Sequence, residues 1–198
     1  MERGFVSGLL TRLRRVPDRL LHTARRRAAM AALAGAERGP ASVLVICNGN
    51  IFRSPFAAAV LRRALELRGL GRVRVDSAGF AGPGRPTPAD AVAAAARRGI
   101  DLANHSSQLV MADLVRAADL IVVMDGLQRR MICERFGRNP RSVLLLGDFD
   151  PLPVPSRGIE DPVEQGPEVC ARAYSRIERC VEELAQSLAN HSRRPAST

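Results

Sequence analysis

The chain has 198 residues, of which 46% are hydrophobic and 25% charged, a size and balance typical of one soluble domain with an added segment. Its four cysteines form neither a CxxC pair nor a Cys/His cluster, which argues against a zinc site or a secreted disulfide scaffold and favours reduced thiols in the cytoplasm. The net charge of +10 is carried by arginine without lysine and is concentrated in the first 40 residues, so it does not indicate a nucleic-acid-binding domain.

Residues 1–39 are predicted to form a basic amphipathic extension, separate from the domain and free to be flexible. Apolar side chains recur at helical spacing with arginine between them, Pro17 should break or kink the helix, and residues 37–42 read as a linker. The recurring apolar residues are Phe5, Val6, Leu9, Leu10, Leu13, Leu20, Leu21 and Ala24. Four interpretations stay open: contact with an anionic membrane surface, an extra packed helix, an arginine-rich targeting peptide, or a translation start placed too early. No apolar run reaches the roughly 18 residues of a membrane span, and arginine interrupts every stretch that a secretory signal needs.

Strand and helix patterns alternate from residue 42 onward. Apolar runs predict strands at 42–46, 72–79, 119–125 and 142–148. Helices are predicted at 55–68, 88–98, 110–117, 126–137 and 168–190, with a proline-rich loop at 151–167. This alternation predicts an α/β domain over residues 40–190, with three α/β/α layers around a four-stranded parallel sheet, and a disordered tail at 191–198.

The stretch VLVICNGNIFRSPF, residues 43–56, places a cysteine where the first strand gives way to a helix. Ligands of open α/β sheets bind at this end of the strands, and a helix N-terminus attracts anions, phosphate above all. Gly49 is expected to let the backbone curl so that its N–H groups point inward, and Arg53 can grip two phosphate oxygens. Because positive surroundings favour the thiolate form, Cys47 is predicted to attack a bound phosphorus. The alternative is a buried thiol at a strand end.

A phosphocysteine route also needs a general acid for the leaving alcohol and a base for water. Asp161 is the candidate, since it lies in a Pro/Gly-rich loop just before the last helix. Asp150, which also precedes a proline, is the competitor, and either residue alone could simply form a turn.

These motifs resemble the low-molecular-weight protein tyrosine phosphatase family over about residues 42–190. VLVICNGNIFRSP is similar to the family's nucleophile loop, and VDSAG, MD at 124–125, LLGDFDP and IEDP follow in the family's order. The resemblance implies a nucleophilic Cys47, a phosphate-binding Arg53 and an acid-base Asp161, with Asp150 in an upstream turn. It places Asn48, Gly49, Asn50, Ile51, Phe52 and Ser54 in the phosphate-binding loop, supported by Ser77 and His105. It implies no cofactor or metal.

Three departures from the family pattern bear on specificity. Phe52 stands where the family often has a second cysteine, so oxidised Cys47 is expected to lack a protective neighbouring disulfide. Val163 and Glu164 stand where the family often has aromatic residues, and Phe52 or Phe80 could supply the missing ring wall. The third departure is the extension of 1–39.

The resemblance favours a phosphotyrosine phosphatase of the cytoplasm or the membrane periphery. A bacterial tyrosine kinase of polysaccharide export is the expected kind of substrate. An arginine-phosphate phosphatase is less favoured, because relatives with that activity carry threonine where this chain has Ile51. An arsenate reductase is less favoured because it uses extra cysteines close in sequence, and Cys133, Cys170 and Cys180 do not show that spacing. A catalytically silent phospho-ligand-binding adaptor is the alternative from another class.

Overall fold

Four parallel strands form the centre of the protein. The computed structural model describes residues 20–34 and 39–192, and the remaining parts of the extension and of the tail lie outside these ranges. The strands are β1 (Ser42–Cys47), β2 (Arg74–Gly79), β3 (Leu120–Val123) and β4 (Val143–Leu145), in the order β2-β1-β3-β4. The four-stranded parallel sheet of the prediction is therefore confirmed.

Helices cover both faces of this sheet. They are α1 over residues 20–34, α2 (Arg53–Glu66), α3 (Ala89–Ala96), α4 (Ala112–Ala117), α5 (Gly126–Phe136) and α6 (Pro167–Ser192). Every residue of β1 is buried, and its side chains alternate between two cores. Val43, Val45 and Cys47 face the core built with α2 and α6, whereas Leu44 and Ile46 face the core that includes α4 and α5. This division into two cores confirms the three layers.

The position of β1 decides where a ligand can bind. It pairs with β2 on one side and with β3 on the other, so the chain reverses its direction of winding at β1. Crevices at such switch points, outside the carboxyl ends of the strands, are the usual ligand sites of open α/β sheets. Cys47 is the last residue of β1 and therefore lies at this crevice.

Helix α1 packs against the domain through residues that lie outside the predicted apolar stripe. Ala29 and Leu33 are buried in the same core as α6, and Arg26 forms an ion pair with Glu183 of α6. Leu20 and Leu21, which belong to the predicted apolar stripe, are 77% and 47% exposed. The apolar spacing alone could not reveal this, because the packed face depends on which side of α1 meets α6.

The chain ends show one further difference. Helix α6 runs through Ser192, so residues 191 and 192 of the predicted tail are helical. Among the described residues no helix is long and apolar enough to cross a membrane.

Gly147 offers a test of the packing between the loop after β4 and the loop before α6. A Cβ at this position would fall well inside van der Waals contact of the Arg157 carbonyl oxygen. We expect Gly147→Ala to lower the free energy of unfolding by about 2 kcal/mol, because backbone on both sides must shift. Urea unfolding measures the change. Gly126→Ala is the matched control, since a Cβ there would meet open space, and an equal loss in both variants would contradict the expectation.

Candidate active site

The loop between β1 and α2 leaves its backbone N–H groups open for an anion. Helix α2 begins at Arg53, and no side chain caps its N-terminus. The first N–H groups of such a helix lack partners and carry the positive end of the helix dipole. One loop amide, the Asn50 N–H, points to the Cys47 sulfur at 3.2 Å. The segment 47–54, here called the phosphate loop, therefore concentrates hydrogen-bond donors at the end of β1.

Asn50, and not Gly49, supplies the left-handed turn of the phosphate loop. Its φ is 52°, a conformation that Asn adopts more readily than most residues. The amide Nδ2 donates to Ser54 Oγ and Ser77 Oγ, both at 2.9 Å. The Asn50 carbonyl oxygen accepts from His105 Nε2 at 2.7 Å. Ser54, Ser77 and His105 thus meet around Asn50, and the expectation that Gly49 provides the curl was wrong.

Gly49 serves the loop by leaving room for Arg85. A Cβ at Gly49 would lie 2.9 Å from Arg85 Nη2, the atom that donates to the Gly49 carbonyl at 2.9 Å. Arg85 also donates to the carbonyls of Ala81 and Gly82. It therefore joins the loop after β2 to the phosphate loop. Sequence reasoning missed Arg85 because one arginine among thirty gives no local signal.

The Cys47 thiol receives a second hydrogen-bonding group from Ser54. The Cys47 Sγ and Ser54 Oγ atoms are 3.0 Å apart. Because Asn50 donates to Ser54 Oγ, the single hydroxyl proton of Ser54 remains available for the sulfur, and its other acceptor, the Ala78 carbonyl, is farther at 3.4 Å. Two donors, the Asn50 amide and the Ser54 hydroxyl, can therefore stabilise negative charge on Cys47.

Arg53 is buried between the phosphate loop and the loop that precedes α6. It is 3% exposed, its Nη1 donates to the Ile159 carbonyl at 3.0 Å, and its Nη2 pairs with the Asp161 carboxylate. The Asp125 carboxylate lies 4.0 Å from Nη1. Nε of Arg53 is buried and has no hydrogen-bond partner among the described residues. Such an N–H suits a phosphate oxygen, since buried donors are rarely left unpaired.

The two aspartates that compete for the acid role have different surroundings. Asp161 is partly exposed and contacts Arg53. Asp150 is fully buried, and its carboxylate accepts from Arg176 Nε at 3.0 Å and Arg179 Nη2 at 3.2 Å. A carboxylate enclosed by two guanidinium groups is a structural anchor, so Asp161 is the one available to a substrate.

The remaining loop residues have distinct positions. The Asn48 carbonyl accepts from the amides of Phe80 and Ala81, and Ile51 is half-buried. Phe52 is only 6% exposed within the core, so the expectation that it could flank a substrate ring was wrong. Phe80 is half-buried and packs against the core that includes α4 and α5.

Tyr174 supports the phosphate loop from below, a role that the sequence did not indicate. Its hydroxyl donates to the Phe52 carbonyl at 3.3 Å, and its ring stacks on Phe56 of α2 with centroids 3.8 Å apart. Burial and the neighbouring Cys170 raise the pKa of Tyr174, so the hydroxyl stays protonated and keeps donating.

The thiols of α6 are chemically quiet. Burial, with Asp150 nearby, raises the pKa of Cys180 to about 12. Burial, followed by the charge of Asp90, raises the pKa of Cys170. Among the described residues no three His, Cys, Asp or Glu side chains are grouped so as to hold a metal ion.

The fold and the loop define a phosphate-loop α/β protein, and comparison with known proteins supplies its family. The family model "Low molecular weight phosphotyrosine protein phosphatase" matches residues 42–194. The probable low molecular weight protein-tyrosine-phosphatase EpsP of Ralstonia solanacearum is 38% identical over 142 residues, which are 71% of this chain and 91% of EpsP. The chain therefore belongs to the low-molecular-weight protein tyrosine phosphatase family, an enzyme family of phosphatases.

Solved structures agree with this assignment. Vibrio vulnificus Wzb in complex with benzylphosphonate has a TM-score of 0.65 and 29% identity, over 73% of this chain and 97% of Wzb. A cysteine-to-serine mutant of the arginine phosphatase YwlE, with a phosphorylated active-site serine, has a TM-score of 0.67 and 30% identity, over 74% of this chain and 95% of YwlE. The family model begins at residue 42, so α1 lies outside the region matched.

Selective alkylation tests the contrast between the four thiols. At pH 7 we expect iodoacetate to modify Cys47 first, because the anionic reagent binds at the anion site where the Asn50 amide and the Ser54 hydroxyl face the sulfur. Cys170 and Cys180 should remain unmodified in the folded protein, since their raised pKa keeps them protonated. Peptide mass spectrometry measures each site. Inorganic phosphate should protect Cys47 but not the half-buried Cys133, and equal labelling of Cys180 would contradict this picture.

Proposed function

We propose that this phosphatase hydrolyses phosphotyrosine in proteins through a phosphocysteine intermediate. The observation that carries the proposal is the juxtaposition at the end of β1. There, the Cys47 sulfur receives the Asn50 amide and the Ser54 hydroxyl, and the buried Arg53 contacts Asp161. Nucleophile, phosphate-binding cation and carboxylate thus belong to one site, which is the arrangement that phosphoryl transfer to a side chain requires.

The first chemical step forms a sulfur–phosphorus bond. The Cys47 thiolate attacks phosphorus, the bond to the tyrosine oxygen breaks, and Asp161 in its protonated form gives the leaving phenolate its proton. The loop amides and Arg53 stabilise the charge on the three equatorial oxygens. In this step the carboxyl of Asp161 must move away from the Arg53 guanidinium, which then binds the phosphate. The carboxyl turns toward the leaving oxygen.

The second step returns the enzyme to its starting state. Asp161, now a carboxylate, takes a proton from water, the water oxygen attacks phosphorus, and the sulfur–phosphorus bond breaks. Ser54 stabilises the departing thiolate through the 3.0 Å contact between its Oγ and the Cys47 Sγ. The step releases inorganic phosphate and restores the free Cys47 and the protonated Asp161.

Preference for tyrosine rests on the rim of the site. We expect the partly exposed Ile51 and Phe80 and the exposed Val163 to offer apolar surface to an aromatic ring. Arginine phosphate remains the competing substrate, because an arginine phosphatase has the same fold at similar identity. As the physiological substrate we propose a bacterial tyrosine kinase of polysaccharide export, on the strength of the family resemblance.

Hydrolysis of phosphotyrosine, phosphoserine and phosphoarginine peptides without added metal tests this function. We expect release of phosphate from phosphotyrosine alone. Cys47→Ser should abolish it, and Asp161→Ala should reduce the rate about 100-fold or more, as loss of a general acid commonly does. Phosphate release in a malachite green assay is the measurement.

Cys133→Ser is the matched control for Cys47→Ser, since Cys133 lies on α5 and has no role in the proposed chemistry. Activity on phosphoarginine would contradict phosphotyrosine as the proposed substrate and would leave Cys47 as the proposed nucleophile. Wild-type protein that is inactive on all three peptides, yet binds them, would favour the adaptor.

We also propose that the extension brings the enzyme to an anionic membrane surface. In α1 the exposed Leu20 and Leu21 share the helix with the exposed Arg27, a combination of apolar and cationic side chains that suits such a surface. The rest of the predicted stripe lies outside the described residues.

Co-sedimentation with anionic and with neutral liposomes tests the membrane contact. The full chain should sediment with the anionic vesicles, and the exposed pair Leu20→Glu and Leu21→Glu should reduce the bound fraction several-fold. Leu127→Glu is the matched control, because Leu127 is 56% exposed on α5, which packs on the face of the sheet opposite to the core that contains Ala29 and Leu33 of α1. Unchanged sedimentation of the double variant would end the proposal.

A further inference from the structure

Helix α1 reaches the loop that carries Asp161, although it lies outside the region matched by the family model. Its His22 is buried at 8% exposure, and the His22 Nε2–H donates to the Asp150 carbonyl at 3.0 Å. The two residues are 128 positions apart in the chain. Ala29 and Leu33 seat the other end of α1 in the core, so the position of His22 is fixed by packing.

Asp150 is the point at which the loop before α6 leaves the core. Residues 150–166 are called the acid loop here. The side chain of Asp150 is held by Arg176 and Arg179 of α6, and its carbonyl by His22. Asp150 is therefore held from both its carboxylate and its carbonyl, and α1 supplies one of these contacts. Without His22, a buried carbonyl would lose its partner.

The same network continues along the acid loop to Asp161. Arg176, which holds Asp150, also donates from Nη1 to the Gly158 carbonyl and from Nη2 to the Ser156 carbonyl, both at 2.7 Å. The next residue, Ile159, donates its N–H to the Met124 carbonyl at 2.9 Å and accepts from Arg53. Residues 151–153 are exposed, so the first part of the acid loop is fixed by the anchors on either side of this stretch, at Asp150 and at residues 156–159.

We propose that His22 is a positioning residue for Asp161 and that α1 is an added support of the acid loop. The inference rests on the proposed acid role of Asp161. When His22 holds Asp150, the arginine network holds residues 156–158 in register, and Asp161 stands at the mouth of the phosphate loop. When that hydrogen bond is lost, the acid loop shifts and proton donation suffers, whereas Cys47, which is contacted by Asn50 and Ser54 of the phosphate loop, keeps its position.

The sensitivity of the rate to the leaving group reports on proton donation separately from folding. We would compare kcat/KM for phenyl phosphate, whose basic phenolate needs the proton, with kcat/KM for 4-nitrophenyl phosphate, whose phenolate leaves readily. The ratio of kcat/KM for 4-nitrophenyl phosphate to kcat/KM for phenyl phosphate rises when proton donation by the acid is lost. Asp161→Ala defines its upper limit.

The informative variant is His22→Phe in the full chain, since phenylalanine keeps the ring and lacks the N–H. We expect it to raise the ratio about fivefold, the loss expected of one hydrogen bond, with little change in the rate of 4-nitrophenyl phosphate. Combined with Asp161→Ala it should raise the ratio no further, because the two residues act through one function. His22→Gln, which retains an N–H donor, should recover part of the effect.

His191→Ala is the matched control. His191 lies near the end of α6, 12 residues and so about 18 Å of helix beyond Arg179, and should leave the ratio unchanged. Circular dichroism verifies that each variant is folded, and His22→Ala replaces His22→Phe if the ring does not fit.

The outcomes separate the two proposals. A folded His22 variant with an unchanged ratio, or with a further rise in the Asp161→Ala background, would overturn the positioning role alone. If Asp161→Ala itself leaves the ratio unchanged, the acid role in the proposed function fails instead.

Discussion

The left-handed backbone at Asn50 is the constraint on which the site depends. A residue other than glycine stays in this conformation when its surroundings hold it there, and here partners from β2 and from residues 105–108 do so. The arrangement points the Asn50 amide at Cys47 and the Asn50 side chain at Ser54. The pairing of β1 with β2 is thus more than a sheet contact, since it brings Ser77 to the loop that holds the anion.

The sequence was informative where local pattern and tertiary structure agree. Ser42–Cys47 is a continuous apolar run followed by a helical pattern, and both elements form where the pattern places them. Choosing Asp161 over Asp150 required the family resemblance, because each precedes a proline. The errors at Gly49 and Phe52 have one physical origin, since backbone conformation and burial in the loop are set by contacts with segments distant in sequence. Arg85 and His22 were missed for the same reason.

Several arginines of this protein hold its backbone through hydrogen bonds to carbonyl groups, a role that the net charge does not indicate. Arg85 donates hydrogen bonds to three carbonyl oxygens at the rim of the site. Arg98 donates to the carbonyls of Ala94 and Ala171, and Arg129 donates to those of Pro140 and Val143. A lysine ammonium lacks the planar set of donors that reaches several carbonyls in fixed directions. Much of the +10 charge is therefore committed to holding loops, and the number of arginines overstates the positive surface open to a partner.

Tyr174 has a consequence for regulation of the enzyme itself. It is the chain's single tyrosine, it is fully buried, and its hydroxyl is engaged beneath the phosphate loop. A kinase must bring the hydroxyl of its target to ATP, which the folded domain does not permit. The folded domain therefore offers no accessible tyrosine to a tyrosine kinase, so feedback through its own tyrosine phosphorylation is closed to it, and any control by a kinase has to use serine, threonine or another residue.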